Sequence, residues 1–391
     1  MRIIVSGGGT GGHISPVLAV IEELNKIDDS ANILYIGSKE GLEKRIVPQL
    51  GIRFKAIKSG KFRRYYKNLF LNIINPFTLF KNIKDAFRFV SGYFEARLII
   101  REFDPDVVFC KGGYVTLPVG LAAHHLGYPI VIHESDSIMG LSNKILAKYA
   151  DMVCVAYEKE RYPMIENEKL MYTGNPVRTD VLGGSRLSAL EKFGLDGKLP
   201  IILIIGGSQG SSAINNLIFE SLKDLLKKYQ LLHISGEIDY DWLKFQSKKL
   251  PAELAKNYSV YNFLSKDLED AYSFADLVIS RASNNVIAEL AALKKPAILI
   301  PLPGSANNHQ LSNAKILSRN GAVLVMLQEH LTVKKLVRQI DLLFENPEEM
   351  KSLASKLNST FVPDSAKIIA ENIIILGKDF SKEKKEYDQN N

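Results

Sequence analysis

Apolar runs bounded by turn residues alternate with amphipathic stretches along the whole chain. The first series is IIV from Ile3, ILYIG from Ile33, DVVF from Asp106, IVIHE from Ile130 and MVCVA from Met152. Short continuous apolar runs predict strands buried on both faces, and helical stretches between them predict parallel pairing with helices over the sheet. A turn-rich segment, TGNPVRTDVLGG from Thr173 to Gly184, breaks the series. It restarts with IILII from Ile201, LLHISG from Leu231, DLVISR from Asp276, AILIP from Ala297 and AVLVM from Ala322. Each series opens with an apolar strand, a glycine-rich loop and a helix: GGGTGGH from Gly7 and GGSQGS from Gly206. Two similar α/β domains in tandem, 1–177 and 178–362, are the economical account. After Pro363, SAKIIAENIIIL from Ser365 has helical spacing over 363–377. Its apolar face needs a domain to pack on, and periodicity does not say which. The polar tail, 378–391, is expected to fray or be disordered.

Composition narrows the class. A chain of 391 residues with 46% hydrophobic and 24% charged residues is ordinary globular protein, long enough for two or three domains. Its apolar runs fall far short of the ~20 residues that span a bilayer. Met1 leads straight into a strand and glycine loop, so no export signal is expected. Cys110 and Cys154 sit in apolar strands without metal or redox spacing and read as buried thiols in a reducing compartment.

Net charge is +7, but residues 53–101 hold twelve Lys and Arg against Asp85 and Glu95 alone. Ten aromatics between Phe62 and Phe94 interleave with Arg63, Arg64, Lys67, Lys81, Lys84 and Arg88. Such a segment either stacks on single-stranded nucleic acid or docks on an anionic lipid surface, and an ordinary helix pair with solvated charges is the plain alternative. The aliphatic content of LFLNIINPFTLF, around a helix-breaking Pro76, favours lipid over nucleic acid for segment 61–94.

Candidate chemistry clusters in loops at strand ends. GGGTGGH formally contains G-x-G-x-x-G at Gly7, Gly9 and Gly12, whose backbone N–H groups can approach a phosphate at a helix N-terminus. The second strand ends in YIGSKEG without an acidic residue at its tip, which disfavours a dinucleotide, and no Lys-Ser/Thr pair makes a P-loop. His13 begins that helix, where the positive helix end keeps the imidazole neutral. It can act as a base or merely cap and pack. In the second loop Ser208, Gln209 and Gly210 add donors for another phosphate cradle. Asn284, Asn285 and Glu289 open a helix after a strand end, where the carboxylate can accept two ribose hydroxyls or simply stabilise the helix start. Asn308, His309, Gln310 and Asn313 form a further polar loop at a strand end.

In order and spacing, GGTGGHISP at Gly8, KGGYVTLPV at Lys111, HESDSIMGLSN at His133, TGNPVR at Thr173, GGSQGS at Gly206 and the AEL and NNHQ segments resemble the MurG family. Its members are bacterial UDP-N-acetylglucosamine transferases that complete lipid II in peptidoglycan synthesis. The resemblance covers the whole chain. It implies a GT-B fold of two Rossmann-like parallel-sheet domains facing across a cleft, the last helix returning to the first domain. It also implies docking of segment 61–94 on the cytoplasmic face of the bacterial cell membrane.

By residue, the resemblance implies that Thr10 and His13 meet the acceptor pyrophosphate, with His13 removing the proton, and that Tyr114 and Asp136 lie near the acceptor lipid I. Thr10, Gly11 and Gly12 also fall in the donor set. Arg178, Ser208, Gln209 and Gly210 map to the UDP-GlcNAc diphosphate, Leu264 to uracil through backbone groups, Glu289 to the ribose, and Asn284, Asn285, His309 and Gln310 to the donor. His13 and Glu289 are the catalytic pair. No DxD-like metal motif occurs, so no cofactor is expected. Cell-wall synthesis or division proteins are further partner candidates, and nucleic acid is not. Asp136 stands where relatives carry Asn, and ASNN and His309 depart from common donor-loop residues. A transferase for another lipid, a UDP-GlcNAc 2-epimerase and a noncatalytic membrane scaffold are the competing readings.

Overall fold

The computed structural model describes residues 1–9, 11–61, 76–207, 210–264 and 267–390. Thr10, Ser208 and Gln209 lie outside the described residues, as do residues 62–75 of the basic-aromatic segment 61–94. The chain divides into two compact units, Met1–Pro176 with Asp364–Asn391, and Val177–Pro363.

Among the described residues the first unit holds seven parallel strands: β1 (Arg2–Ser6), β2 (Asn32–Ser38), β3 (Arg53–Ile57), β4 (Val107–Cys110), β5 (Ile130–Glu134), β6 (Met152–Val155) and β7 (Leu170–Tyr172). They lie in the order β3-β2-β1-β4-β5-β6-β7, with Ile3 in register with both Ile33 and Val107. Strand alternation sorts side chains into two layers. Ile3 and Val5 pack with Ile14, Val17 and Ile21 of the helix Gly11–Ile27, while Ile4 faces Ala96, Ile100 and Val119. Each such aliphatic side chain contributes about 1.5–3 kcal/mol by leaving water, so the β1 trio fixes both layers at once.

The second unit repeats the plan with β8 (Ile201–Ile205), β9 (Gln230–Ile234), β10 (Tyr258–Tyr261), β11 (Leu277–Ser280), β12 (Ala297–Leu299) and β13 (Leu324–Val325), all parallel in the order β10-β9-β8-β11-β12-β13. Every β8 residue is buried, as its unbroken IILII run requires. Strands β3, β7 and β10 have no counterpart among the apolar runs. They are sheet edges or outer strands whose residues are only partly covered, so RFKAI, LMY and YSVY carry no continuous apolar signal.

The described part of the helix preceding β4 runs Pro76–Phe103, and the residues before Pro76, on which the expected break depends, lie outside the described residues. The helix Ser365–Asn390 packs Ile369, Ala370, Ile373 and Ile374 against the helix Gly11–Ile27 and β4. The sequence stops this helix at 377 and expects a frayed tail, yet it continues to Asn390. Polar contacts replace apolar ones there: Ser381 Oγ donates to Asp106 Oδ1 (2.7 Å), Lys384 Nζ donates to Asp104 Oδ1 (2.6 Å), and the Phe380 ring stands edge-on to Tyr128. The Lys384 hydrogen bond is the main cause holding the Asp104 carboxyl below its ordinary pKa. Among the described residues no helix is long and apolar enough to cross a membrane.

Candidate functional site

β1 and β4 part company at their carboxyl ends, because the chain winds to β2 and β3 on one side and to β5, β6 and β7 on the other; β8 and β11 diverge likewise. Open parallel sheets bind ligands at such switch points. Both glycine loops sit there.

In the first unit, two glycine turns interlock. Gly9, Gly112 and Gly113 have φ of +92°, +107° and +93°, a region glycine adopts without strain. A Cβ at Gly9 would strike the Tyr114 ring, and one at Gly113 would strike the Gly8 carbonyl. Beneath them Glu43, fully buried, accepts from Gly9 N–H (3.1 Å) and Ser38 N–H (2.8 Å). Tyr35 donates its hydroxyl to Gly7 O (2.6 Å). Gly11 and Gly12 open the helix at the positive end of its dipole, and Gly12 is exposed. His13 is half-buried beside Gly113. Tyr114 donates to Ser38 Oγ (3.2 Å), and Lys61 Nζ stands 5.0 Å from its ring centroid.

A buried polar network supports this loop pair. Lys111 Nζ donates to Ser135 Oγ (2.6 Å), which donates to Asn175 Oδ1 (2.5 Å). Glu134 accepts from Asp136 N–H (2.9 Å), Gly140 N–H (2.9 Å) and Asn143 Nδ2 (3.1 Å). Burial, then the Asp136 charge, raise the Glu134 pKa. Burial drives the His133 pKa well below its ordinary value, so the neutral ring donates Nε2–H to Gly174 O (2.9 Å). Asp136 is half-buried at the head of this loop, its carbonyl accepting from Tyr162 Oη (2.9 Å).

In the second unit the loop has a different backing. Gly207 and Gly210 have φ of +90° and +74°, and a Cβ at Gly210 would strike the Ser235 carbonyl. Ser211 caps the helix Ser212–Leu225, accepting from Ile214 N–H (3.4 Å) and from Arg281 Nη2 (2.6 Å). Arg281 is buried. It also donates to Ile300 O (3.1 Å), Pro301 O (3.3 Å) and Gln328 Oε1 (2.8 Å). Burial lowers its pKa to about 10, which leaves it charged at neutral pH.

Glu289 lies on the helix Asn284–Ala292 and accepts from Tyr272 Oη (2.7 Å). Burial raises its pKa to about 7, opposed by the Tyr272 hydrogen bond and the Arg178 charge and reinforced by Asp180. The fold thus brings Arg178 and Glu289, 111 positions apart by number, into one electrostatic field. Arg178 also pairs with Asp180. Asn284 is buried at the start of the Glu289 helix and Asn285 is half-buried. Leu264 turns its side chain into the core, which leaves only its backbone for a ligand. His309 and Gln310 open the helix His309–Arg319 after Asn307 and Asn308, both at positive φ. Gln310 Oε1 accepts from Leu302 N–H (2.9 Å), which commits the amide oxygen to its own loop.

The loops suit anions, Glu289 suits a diol, and His13 suits proton transfer. Among the described residues no three His, Cys, Asp or Glu side chains gather to hold a metal ion. Sequence reasoning missed Glu43, Tyr35, Tyr272 and Arg281. Glu43 was within reach of the pattern, as the acid of the KEGLEK stretch after β2, but an acidic residue was sought only at the strand tip.

Comparison with known proteins agrees with this architecture. Residues 3–155 match the glycosyltransferase family 28 N-terminal domain, and residues 201–369 match the family 28 C-terminal domain. A Clostridium botulinum protein named UDP-N-acetylglucosamine--N-acetylmuramyl-(pentapeptide) pyrophosphoryl-undecaprenol N-acetylglucosamine transferase is 40% identical over 88% of this chain and 91% of its own. A Bacillus cytotoxicus protein of the same name is 38% identical over 95% and 98%. Acinetobacter baumannii MurG shares the two-domain GT-B architecture with a TM-score of 0.70, 26% identity and coverage of 95% and 98%. A UDP-GlcNAc 2-epimerase from Neisseria meningitidis, 17% identical with a TM-score of 0.64 over 96% and 100%, shares the fold alone. Matched in both domains and along nearly its full length, the chain belongs to glycosyltransferase family 28.

Proposed function

We propose that the chain transfers GlcNAc from UDP-GlcNAc to the C4 hydroxyl of MurNAc in undecaprenyl-pyrophosphoryl-MurNAc-pentapeptide, lipid I, giving lipid II with inversion at the anomeric carbon. The observation that carries this reading is the near-full-length identity to transferases named for that reaction.

The sites supply the chemistry it needs. UDP leaves with growing negative charge, which Arg178, the Gly206–Gly210 loop and the N-terminus of the helix Ser212–Leu225 stabilise more in the transition state than in the ground state. Glu289 accepts the two ribose hydroxyls, and the donors of Asn284, Asn285, His309 and Gln310 orient the sugar. Leu264 contributes backbone groups to the base. Thr10 serves both substrates, and Gly11 and Gly12 the donor. His13 takes the C4 proton as the new glycosidic bond forms, and Tyr114 and Asp136 border the acceptor. None of these steps requires a metal.

Membrane docking completes the reading. Along the helix Pro76–Phe103, Phe80, Ile83, Phe87, Val90, Phe94 and Leu98 form an exposed stripe at helical spacing, with Phe80 69% and Phe87 73% exposed. Lys81, Lys84 and Arg88 lie on the same helix. Aromatic and aliphatic side chains flanked by cations suit an anionic leaflet. This supports peripheral attachment at the cytoplasmic face, where cell-wall or division proteins would be met.

The test is incubation of purified protein with radiolabelled UDP-GlcNAc, with and without a lipid I analogue in anionic vesicles. Label reaching the lipid only with the analogue present supports the reading. UDP-ManNAc formed without acceptor would favour epimerisation, and label on a different lipid would redirect the acceptor.

A further inference from the structure

Behind the second glycine loop lies a buried chain of hydrogen bonds to which the transfer reaction gives no task. His233 on β9 and Asn215 in the first turn of the helix Ser212–Leu225 are both fully buried. Asn215 Nδ2 donates to Ser235 O (2.8 Å) and to Asp239 Oδ2 (2.7 Å). A carbonyl can only accept, so the amide nitrogen must face Ser235 and Asn215 Oδ1 must turn to His233. His233 Nε2 lies 2.9 Å from that oxygen and therefore carries the ring hydrogen. Burial, opposed by the Asp239 charge, lowers the ring pKa to about 3, so the imidazole is neutral. Its Nδ1 then accepts from Tyr258 Oη on β10 (2.9 Å).

This chain ends where the glycine loop rests. A Cβ on Gly210 would come within 2.3 Å of Ser235 O and 3.0 Å of Gly236 Cα, so the last glycine of the loop packs directly on the corner after β9. Gly236 holds that corner at φ +82° and gives its N–H to Asn262 O (3.0 Å). The Asn215 amide ties the same corner to the first turn of the helix that follows the loop. We propose that His233 is a positioning residue for the donor: its Nε2–H fixes the Asn215 amide, which sets the Ser235–Gly236 corner and the helix start at the separation the Gly206–Gly210 loop needs to meet a nucleoside diphosphate. His233 touches no substrate in this role.

The inference rests on the reading that the second unit holds UDP-GlcNAc, and calorimetric titration of the full chain with UDP separates the two. His233→Leu leaves Asn215 Oδ1 buried without a donor. UDP affinity then falls roughly tenfold, the scale of one hydrogen bond's net contribution. In His233→Gln the side-chain amide puts an N–H close to the position of Nε2, and affinity stays within about threefold of wild type. Tyr258→Phe removes the other hydrogen bond of the ring but not the one to Asn215. It lowers the thermal unfolding midpoint and leaves UDP affinity within about twofold of wild type.

A merely structural role would make affinity follow stability through all three variants. His233→Leu binding UDP as tightly as wild type, His233→Gln binding as weakly as His233→Leu, or Tyr258→Phe losing as much affinity as His233→Leu each overturns the proposal and leaves the donor reading standing. A wild-type chain that binds neither UDP nor UDP-GlcNAc refutes the donor reading and takes the proposal with it. If His233→Leu does not fold, nitrogen NMR of the wild-type ring gives the answer. The proposal predicts an Nε2–H tautomer from about pH 5 to 8, as a ring titrating far below that range requires, and an Nε2–H resonance that moves when UDP is added. A ring protonated on Nδ1, or a resonance that UDP leaves in place, overturns it.

Discussion

The two glycine loops are near-copies in sequence and opposites in support. GGGTGGH in the first unit rests on an acid, Glu43, which takes the Gly9 N–H for itself. GGSQGS in the second rests on a base, Arg281, whose guanidinium holds Ser211 at the head of the following helix. An acid beneath a loop fixes its backbone but consumes a donor and adds no attraction for phosphate. A buried guanidinium fixes the loop and adds positive charge behind an anion site. The same strand-loop-helix signature therefore codes for position in both units, and the residue behind it sets the electrostatics. The difference fits a second unit devoted to a diphosphate leaving group and a first unit where a neutral hydroxyl must also be deprotonated.

Arg281→Met is the harshest way to break the comparison. It strands the acceptors at Ser211, Ile300, Pro301 and Gln328, with an expected cost of about 3 kcal/mol in unfolding free energy by denaturant titration. UDP-GlcNAc affinity falls with it, because the cap and the charge are lost together. Unchanged donor affinity in a folded Arg281→Met variant would remove the electrostatic half of the contrast. Glu43→Gln is milder. An amide can accept from Gly9 or Ser38 but presents N–H to the other, for about 2 kcal/mol by the same titration. Acceptor turnover should suffer more than donor binding; the reverse order would make the first loop a donor cradle.

Much of the loops' placement was legible in the sequence because it depends on nearest neighbours: an apolar strand, then glycines, then a helix. The central strands were legible for the same reason, since burial on both faces favours an unbroken apolar run such as IILII. The turn-rich stretch after Thr173 marked the division between units, which falls after Pro176. Outer strands such as β3 and β10 were not legible, because their exposed positions dilute the apolar run. The supports were hidden by distance along the chain. Glu43 meets Gly9 across 34 residues and Arg281 meets Ser211 across 70, and neither periodicity nor spacing encodes such a meeting. The end of the last helix was misread for a related reason. Its polar residues look solvated until Asp104 and Asp106, far away in sequence, are placed beside Lys384 and Ser381.

Glu289 is where the claim that the second unit holds the donor can be tested most directly. Its raised pKa, about 7, means that a proton occupies the carboxyl as pH falls through neutrality, and a protonated carboxyl cannot accept both ribose hydroxyls. The decisive measurement is calorimetric titration of UDP-GlcNAc from about pH 5.5 to 8 into wild type and Glu289→Gln. The account predicts wild-type affinity that falls toward tenfold per pH unit below about 7 and levels off above it, with a weaker, pH-independent Glu289→Gln. A flat wild-type profile, or a Glu289→Gln variant that binds as tightly as wild type at pH 8, would contradict it.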